Sequence, residues 1–384
     1  MTEYMCIHLA LWTKNQDGII NSIMKSFNDF IIDTRVLKSN AINIKKQIGK
    51  DVKLCAVVKA DAYGLGARAI CSTIAGIVDF FAVASVCEGI NIRVFDKTTK
   101  IVVLGVCSVD DIGIACENNI SISVSNLQKL YEICKFCSEN ELNCNIHLQV
   151  NSGLNRYGFC KISEFIKALK IIELCDYVNL EGVYSHFATK SQDIRFIKKQ
   201  YLRFLQYKKY IKNKHIICHI ANSFATTYDS KFALNMVRNG FLLYGGTHNT
   251  IGNKLVLTIK SQIVNVLEVG KGSSIGYDRT FVAKKRMKIA VVPMGYADGM
   301  DRRLSNGFKV LISGQKCPIV GLVCMDVFMV DISNVNAKIG DSVVILGTQG
   351  DHKITLDDFA KKMNTSPYEV LLHFNYKRMN YVVK

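Results

Sequence analysis

Between residues 53 and 239 the chain alternates between two hydrophobic rhythms. Short apolar runs rich in β-branched residues occupy 53–59, 79–85, 101–105, 120–124, 145–151, 180–185, 216–219 and 236–239. Each is too short for a buried helix and reads as a strand covered on both faces. Segments between them, such as 127–137, 162–174 and 194–210, repeat their apolar residues at helical spacing. Strand-helix alternation builds a parallel sheet, and eight such strands predict an α/β fold of the TIM-type β/α barrel kind. Chemistry in that architecture sits at the C-terminal strand ends. Lys59, Asn151, His186, His219 and Arg238 fall there.

From about residue 255 the texture changes. Short β-rich segments at 259–269, 287–292, 309–312, 319–326, 328–332 and 342–346 are separated by glycine turns. Helical spacing returns only at 356–362 and 367–374. This pattern predicts a mostly β C-terminal domain over 255–384, following a barrel over 27–254. Residues 1–26 read as an extension with a short strand and an amphipathic helix.

Composition narrows the class. The chain has 384 residues, 49% hydrophobic, with only 3 prolines, so it is globular and large enough for two domains. A net charge of +17 attracts phosphorylated ligands, nucleic acid or anionic lipid. The basic residues are scattered, however, without aromatic interleaving, so no nucleic-acid partner is expected. Many of the 14 cysteines, among them Cys55, Cys71, Cys116 and Cys218, lie inside apolar segments, as reduced buried thiols do. Cys134 and Cys137 have redox spacing, yet with Leu127, Leu130 and Tyr131 they form a helical core stripe. No second such pair completes a zinc site, so no metal is expected. No signal peptide and no membrane span are legible, which predicts a cytoplasmic location and no membrane partner.

The stretch that carries most information is Cys55-Ala-Val-Val-Lys-Ala-Asp-Ala-Tyr-Gly-Leu-Gly66. An apolar run ends on Lys59, and the small residues after it leave room for a bulky group against the backbone. A lysine drawn out of water there is favoured as a neutral amine, a nucleophile for an aldehyde. A lysine that merely snorkels into solvent is the plainer alternative.

The words around Lys59 resemble the cofactor-lysine motif of the alanine racemase family. The resemblance continues, in the family's order, over about residues 27–375. It implies that Lys59 carries pyridoxal 5'-phosphate as a Schiff base and that Tyr63, Ser223, Gly240 and Phe241 hold the phosphate, braced by Tyr368. It places Arg238, in Val-Arg-Asn-Gly-Phe, against the cofactor's pyridine nitrogen. An arginine cannot accept that nitrogen's proton, so it donates a hydrogen bond instead. The resemblance gives Tyr277, in Gly276-Tyr-Asp-Arg-Thr280, the role of second catalytic base. His186 and His219 link that tyrosine to Arg238. Arg156 and Met325 meet the substrate, and Tyr296 and Arg302 line the channel that leads to it.

The chain departs from the family at Leu65, where histidine is usual, and at Gln149, where many members carry a carbamylated lysine. Asn151 replaces an aspartate and Leu322 an arginine. Gln149 offers Arg156 a neutral acceptor only, and a chloride ion helped by Asn151 would restore the missing charge. The implied activity is two-base racemization of alanine by a homodimer with shared active sites, feeding D-alanine to bacterial peptidoglycan. A racemase of broader specificity, a decarboxylase on the same barrel and a catalytically degenerate cofactor-binding protein are the alternatives.

Overall fold

The computed structural model describes residues 26–189, 193–246 and 251–384. The elements expected for the N-terminal extension lie outside them. The described residues divide into two compact units: Thr34–Val256, and Leu257–Lys384 together with residues 26–33.

That division corrects one boundary. The first described strand, β1 (Asp29–Ile32), falls inside the span expected for the barrel. It pairs instead with strands of the β unit, so the barrel begins at Thr34 and not at residue 27.

The barrel unit starts with helix α1 (Thr34–Ile48), which buries Leu37, Ala41 and Ile44 along one face. Its strands are β2 (Lys53–Val57), β3 (Phe80–Val83), β4 (Lys100–Val103), β5 (Ile120–Val124), β6 (Cys144–Gln149), β7 (Val178–Tyr184), β8 (Ile217–His219) and β9 (Met236–Asn239). All pair in parallel, in the order β8-β7-β6-β5-β4-β3-β2-β9. The eight expected strands are therefore all present, within a few residues of the predicted ends. The seam between β8 and β9 is sewn by Asn235: its N–H donates to Cys218 O at 3.1 Å and its Oδ1 accepts from Cys218 N–H at 3.0 Å.

Between the strands run α2 (Ala67–Ile74), α3 (Val86–Arg93), α4 (Asp110–Glu117), α5 (Leu127–Asn140), α6 (Ile162–Glu173), α7 (Ile194–Lys208) and the short α8 (Ser223–Tyr228). Side-chain caps start several of them: Ser85 accepts from Glu88 N–H and Asn126 from Lys129 N–H. On α5 the buried stripe is Leu130, Ile133 and Cys137; Tyr131 is exposed and Cys134 half-buried, so the stripe is rotated from the expected one.

The β unit is built on β1, β10 (Leu257–Gln262), β11 (Asn265–Val269), β14 (Met287–Val292), β15 (Lys309–Ile312), β16 (Gln315–Val320), β17 (Phe328–Asp331), β18 (Ser342–Gln349), β19 (His352–Ile354) and β20 (Asn380–Val383). The pairings are antiparallel except β1 with β20. The two-residue strands β12 (Ser274–Ile275) and β13 (Phe281–Val282) form a separate hairpin. Helices α9 (Leu356–Met363) and α10 (Pro367–His373) fall where helical spacing predicted them, α9 opened by a Thr355–Asp358 capping box.

Candidate active site

Strand β2 buries Leu54 to Val58 and delivers Lys59 to its C-terminal end. The backbone then does something unusual. Ala60, Asp61, Ala62 and Tyr63 all have positive φ, between 52° and 60°. Left-handed backbone costs a non-glycine residue roughly 1–2 kcal/mol, so four in a row persist only if the surroundings hold them. They are held: Ala60 N–H donates to Glu88 Oε1 (2.9 Å), Ala62 N–H to Val58 O (2.8 Å) and Gly66 N–H to Asp61 O (3.0 Å). Asp61 Oδ1 also accepts from Ala67 N–H at the start of α2, at 2.6 Å. Glu88 secures Ala84 N–H with its other oxygen (2.7 Å), tying the ends of β2 and β3 to one carboxylate.

The Lys59 side chain is exposed. The desolvation expected at this strand end is thus not provided by the protein's own side chains. Leu65 is fully buried, a place that suits leucine.

Beside Lys59, on the neighbouring strand β9, stands Arg238, in register with Cys55 and only 3% exposed. Its Nη1 donates to His219 Nδ1 (2.7 Å) and His219 O (3.2 Å). Its Nη2 donates to Ser185 O (2.7 Å), His186 Nδ1 (3.2 Å) and Ile220 O (3.4 Å). These partners are carbonyl oxygens and imidazole nitrogens, not carboxylates. Burial and the Arg238 charge push both histidines down, His186 to about 3 and His219 well below its ordinary value. Both are neutral at neutral pH.

The neutral His219 sets a chain of polarity. Its Nδ1 accepts from Arg238, so its Nε2 carries the hydrogen and donates to His147 Nδ1 at 2.9 Å. His147 Nε2–H then points at Glu181 Oε2, 3.2 Å away. Burial drives the Glu181 carboxyl up, but hydrogen bonds from His147, Lys100 and Ser121 outweigh it and hold it at about 2. An anion on β7 is thereby connected to the Arg238 cation through two imidazoles. Tyr184 stacks on His219 with centroids 5.0 Å apart and lies under the Arg238 guanidinium.

His147, Glu181 and Tyr184 were missed by the sequence reading. Their signal was polar residues inside strands otherwise buried on both faces. Gly182 was a further sign, since a Cβ there would lie 2.4 Å from His147 Nδ1.

The phosphate-binding candidates gather around the ends of β8 and β9. Ser223 Oγ accepts from Leu242 N–H at 3.2 Å, joining the two loops. A Cβ on Gly240 would sit 2.7 Å from the Tyr63 hydroxyl, so glycine is what lets Tyr63 lie against this backbone. Tyr63 packs edge-on against the buried Tyr244, and Phe241 is buried beside Gly246.

Two expectations change. Gln149 Oε1 accepts from the Tyr184 hydroxyl at 3.1 Å, while Arg156 is exposed with its guanidinium over the Tyr157 ring. Gln149 is engaged by the buried phenol, and no hydrogen bond among the described residues joins it to Arg156. Asn151 was expected to help line an anion site. Its Oδ1 accepts from Gly153 and Asn155 N–H and its Nδ2 reaches Asn155 and Cys160, so it is committed to its own turn.

The β unit presents the other candidates. Tyr277 is 68% exposed at the tip of the β12–β13 hairpin, where Asp278 and Arg279 take left-handed backbone. Met325 is brought to a fixed place by two bonds, Tyr296 N–H to Cys324 O and Ala297 N–H to Met325 O, each 3.0 Å. Gly295 permits this approach, since a Cβ there would be 2.0 Å from Met325 O. Asp298 accepts from Gly295 N–H (2.9 Å) and from Arg378 Nε (2.9 Å); Arg378 also reaches Asp326, a brace the sequence did not reveal. Tyr296 and Arg302 are exposed, Leu322 and Tyr368 half-buried.

The residues fit pyridoxal phosphate. They supply an accessible amine, a buried donor-only guanidinium among neutral histidines, and a glycine-floored cradle between two strand-end loops. Such a site at the strand ends of a β/α barrel defines a class of candidate pyridoxal-phosphate-binding barrels.

Comparison with known proteins narrows the class. The chain matches the alanine racemase N-terminal domain over residues 32–248 and the alanine racemase C-terminal domain over residues 256–382. It is 36% identical over 342 residues to alanine racemase 2 of Caldanaerobacter subterraneus subsp. tengcongensis, spanning 86% of this chain and 88% of the relative. The solved alanine racemase of E. faecalis is similar with a TM-score of 0.88 at 28% identity, covering 93% of this chain and 98% of that one. Alanine racemase from Bartonella henselae, with covalently bound pyridoxal phosphate, gives 0.85 at 25% identity, covering 93% of this chain and 99% of that one. The chain belongs to the alanine racemase family.

Proposed function

We propose that this protein interconverts L- and D-alanine, with Lys59 and Tyr277 as the two bases on opposite faces of the substrate. Pyridoxal phosphate, held through Lys59, supplies the electron-withdrawing ring that makes the substrate's α-proton removable. With the cofactor bound, Arg238 would donate to the ring nitrogen and leave it without an added proton, which would favour return of the proton over side reactions. The buried chain through His219, His147 and Glu181 keeps that guanidinium oriented. Tyr63, Ser223, Gly240 and Phe241 seat the phosphate, with Tyr368 as brace. Tyr277 takes or returns the proton on the L-alanine face and Lys59 on the D-alanine face. Met325 N–H and Arg156 orient the carboxylate, and Tyr296 and Arg302 line the approach.

The observation that carries this reading is Arg238, buried without a carboxylate partner on the strand beside Lys59, in a chain of this family. The test is L-alanine with the purified protein in deuterated water, following α-proton exchange and D-alanine. Exchange of L-alanine without inversion would mean that the Tyr277 side works and the Lys59 side does not. Robust turnover of lysine or serine without alanine would move the assignment to a racemase of other specificity.

The same reading extends to a cytoplasmic homodimer in a bacterial cell, with D-alanine destined for peptidoglycan. No helix among the described residues is long and apolar enough to cross a membrane. Chloride beside Arg156 remains part of the proposal, carried now by Arg156 alone. Activity should fall in chloride-free buffer and recover as chloride returns; a flat response removes the ion.

A further inference from the structure

Five of the chain's 14 cysteines gather at the end of the barrel unit opposite Lys59. Cys116 lies in the last turn of α4, Cys137 in the last turn of α5, and Cys144 begins β6. The Sγ atoms of these three are all within 4.8 Å of one another. Cys134 and Cys175 form a neighbouring pair, with Ser138 Oγ 4.0 Å from Cys175 Sγ. We propose that Cys116, Cys137 and Cys144 form a binding site for a divalent thiophilic d10 cation, of which zinc is the common example.

Geometry supports three-sulfur ligation. At a metal–sulfur distance of about 2.3 Å, tetrahedral ligands stand about 3.8 Å apart and trigonal ones about 4.0 Å. The three sulfurs need to close by less than about 1 Å to reach either arrangement. Their backbones are already fixed. Cys144 N–H donates to Tyr177 O at 2.8 Å, Leu142 N–H to Cys137 O at 3.0 Å, and Asn119 N–H to Cys116 O at 3.1 Å. Glu141, in left-handed backbone, turns the chain from α5 into β6 and so sets Cys137 against Cys144.

Charge decides between soft cations. Three thiolates around a monovalent ion leave two negative charges, and around a divalent ion one. Cys137 and Cys144 are essentially fully buried, where the smaller residual charge costs less. Cys116 is only half-buried, so its side admits a water as fourth ligand. Reduced cysteine clusters inside cells are metal sites more often than disulfides. Bound there, the ion would clamp α4 and α5 to the edge of β6, remote from the strand ends that carry Lys59 and Arg238.

The test uses the reduced, pyridoxal-phosphate-loaded protein, with zinc, cadmium as a spectroscopic probe, and monovalent copper as separate arms. One equivalent of cadmium should bind tightly with a sulfur-to-metal charge-transfer band and should displace bound zinc, and zinc alone should raise the thermal unfolding midpoint. Cys116→Ser, at the half-buried position, and Cys144→Ala should each weaken that equivalent by about 100-fold or more, beyond what loss of an outer partner costs. Both variants should keep racemization, which reports that they fold. Uptake of several monovalent copper ions together with no tight divalent equivalent would overturn the divalent assignment. Equal binding by wild type and both variants, or no tight equivalent at all, would reduce the cluster to packed thiols.

Discussion

His186 and His219 carry a pH signature. Each takes a proton near pH 6.5 when unfolded and, in the fold, only at lower pH, for His186 at about 3. The unfolded chain therefore binds more protons below about pH 6.5. The stability this contributes is complete above that value and is lost as pH falls toward the folded values. Denaturant unfolding at about pH 8 and about pH 5 should show a lower midpoint in acid, and His186→Asn or His219→Asn should flatten the dependence. An unchanged slope in both would mean that they are not the groups responsible. Glu181 gives a second residue-scale prediction. Glu181→Leu leaves His147 Nε2–H without its acceptor in a buried place and should cost about 1–3 kcal/mol of stability. Glu181→Gln keeps a neutral acceptor and should recover most of that loss, measured by urea unfolding. At this scale the sequence was readable where a residue stood inside a distinctive word, as Lys59 and Arg238 do. His147 and Glu181 have no such word around them, and only the barrel brings residues 34 positions apart into one chain of hydrogen bonds.

Among elements, the left-handed turn Ala60–Tyr63 matters most, because it determines where Lys59 and Tyr63 point. Its chief external support is Glu88, which takes Ala60 and Ala84 N–H together. Glu88→Ala should cost about 1–3 kcal/mol and slow recapture of pyridoxal phosphate after stripping, read from the return of cofactor absorbance. Gly240→Ala should weaken cofactor binding without unfolding the barrel, since its Cβ meets the tip of Tyr63 and not backbone. The barrel strands were legible because each is a compact apolar run bounded by helical spacing. β12 and β13 were not, since two residues carry no period, and the turn after Lys59 was not, since nothing in Ala-Asp-Ala-Tyr announces left-handed backbone. β1 fell inside the span assigned to the barrel, because its partners Lys260 and Asn380 lie far along the sequence.

For the whole molecule, the exposure of Tyr277 and Met325 on the β unit suits a site completed by a second copy. Mixing Lys59→Ala chains with Tyr277→Ala chains should then restore up to roughly a quarter of wild-type activity, from one intact site in each mixed dimer. No recovery despite demonstrated subunit exchange would remove the shared site. The pairing of β1 has another consequence, for synthesis on the ribosome. Ile32 stands opposite Leu257, and Asp29 bonds to Asn380, made 351 residues later. At the usual elongation rate of roughly 5–20 residues per second, β1 waits about 20–70 s for its last partner. The barrel can close during that interval, while β1 remains an unpaired strand edge. A ribosome stalled after the barrel would leave that edge uncovered, so the nascent chain depends most on a chaperone during the final third of its translation.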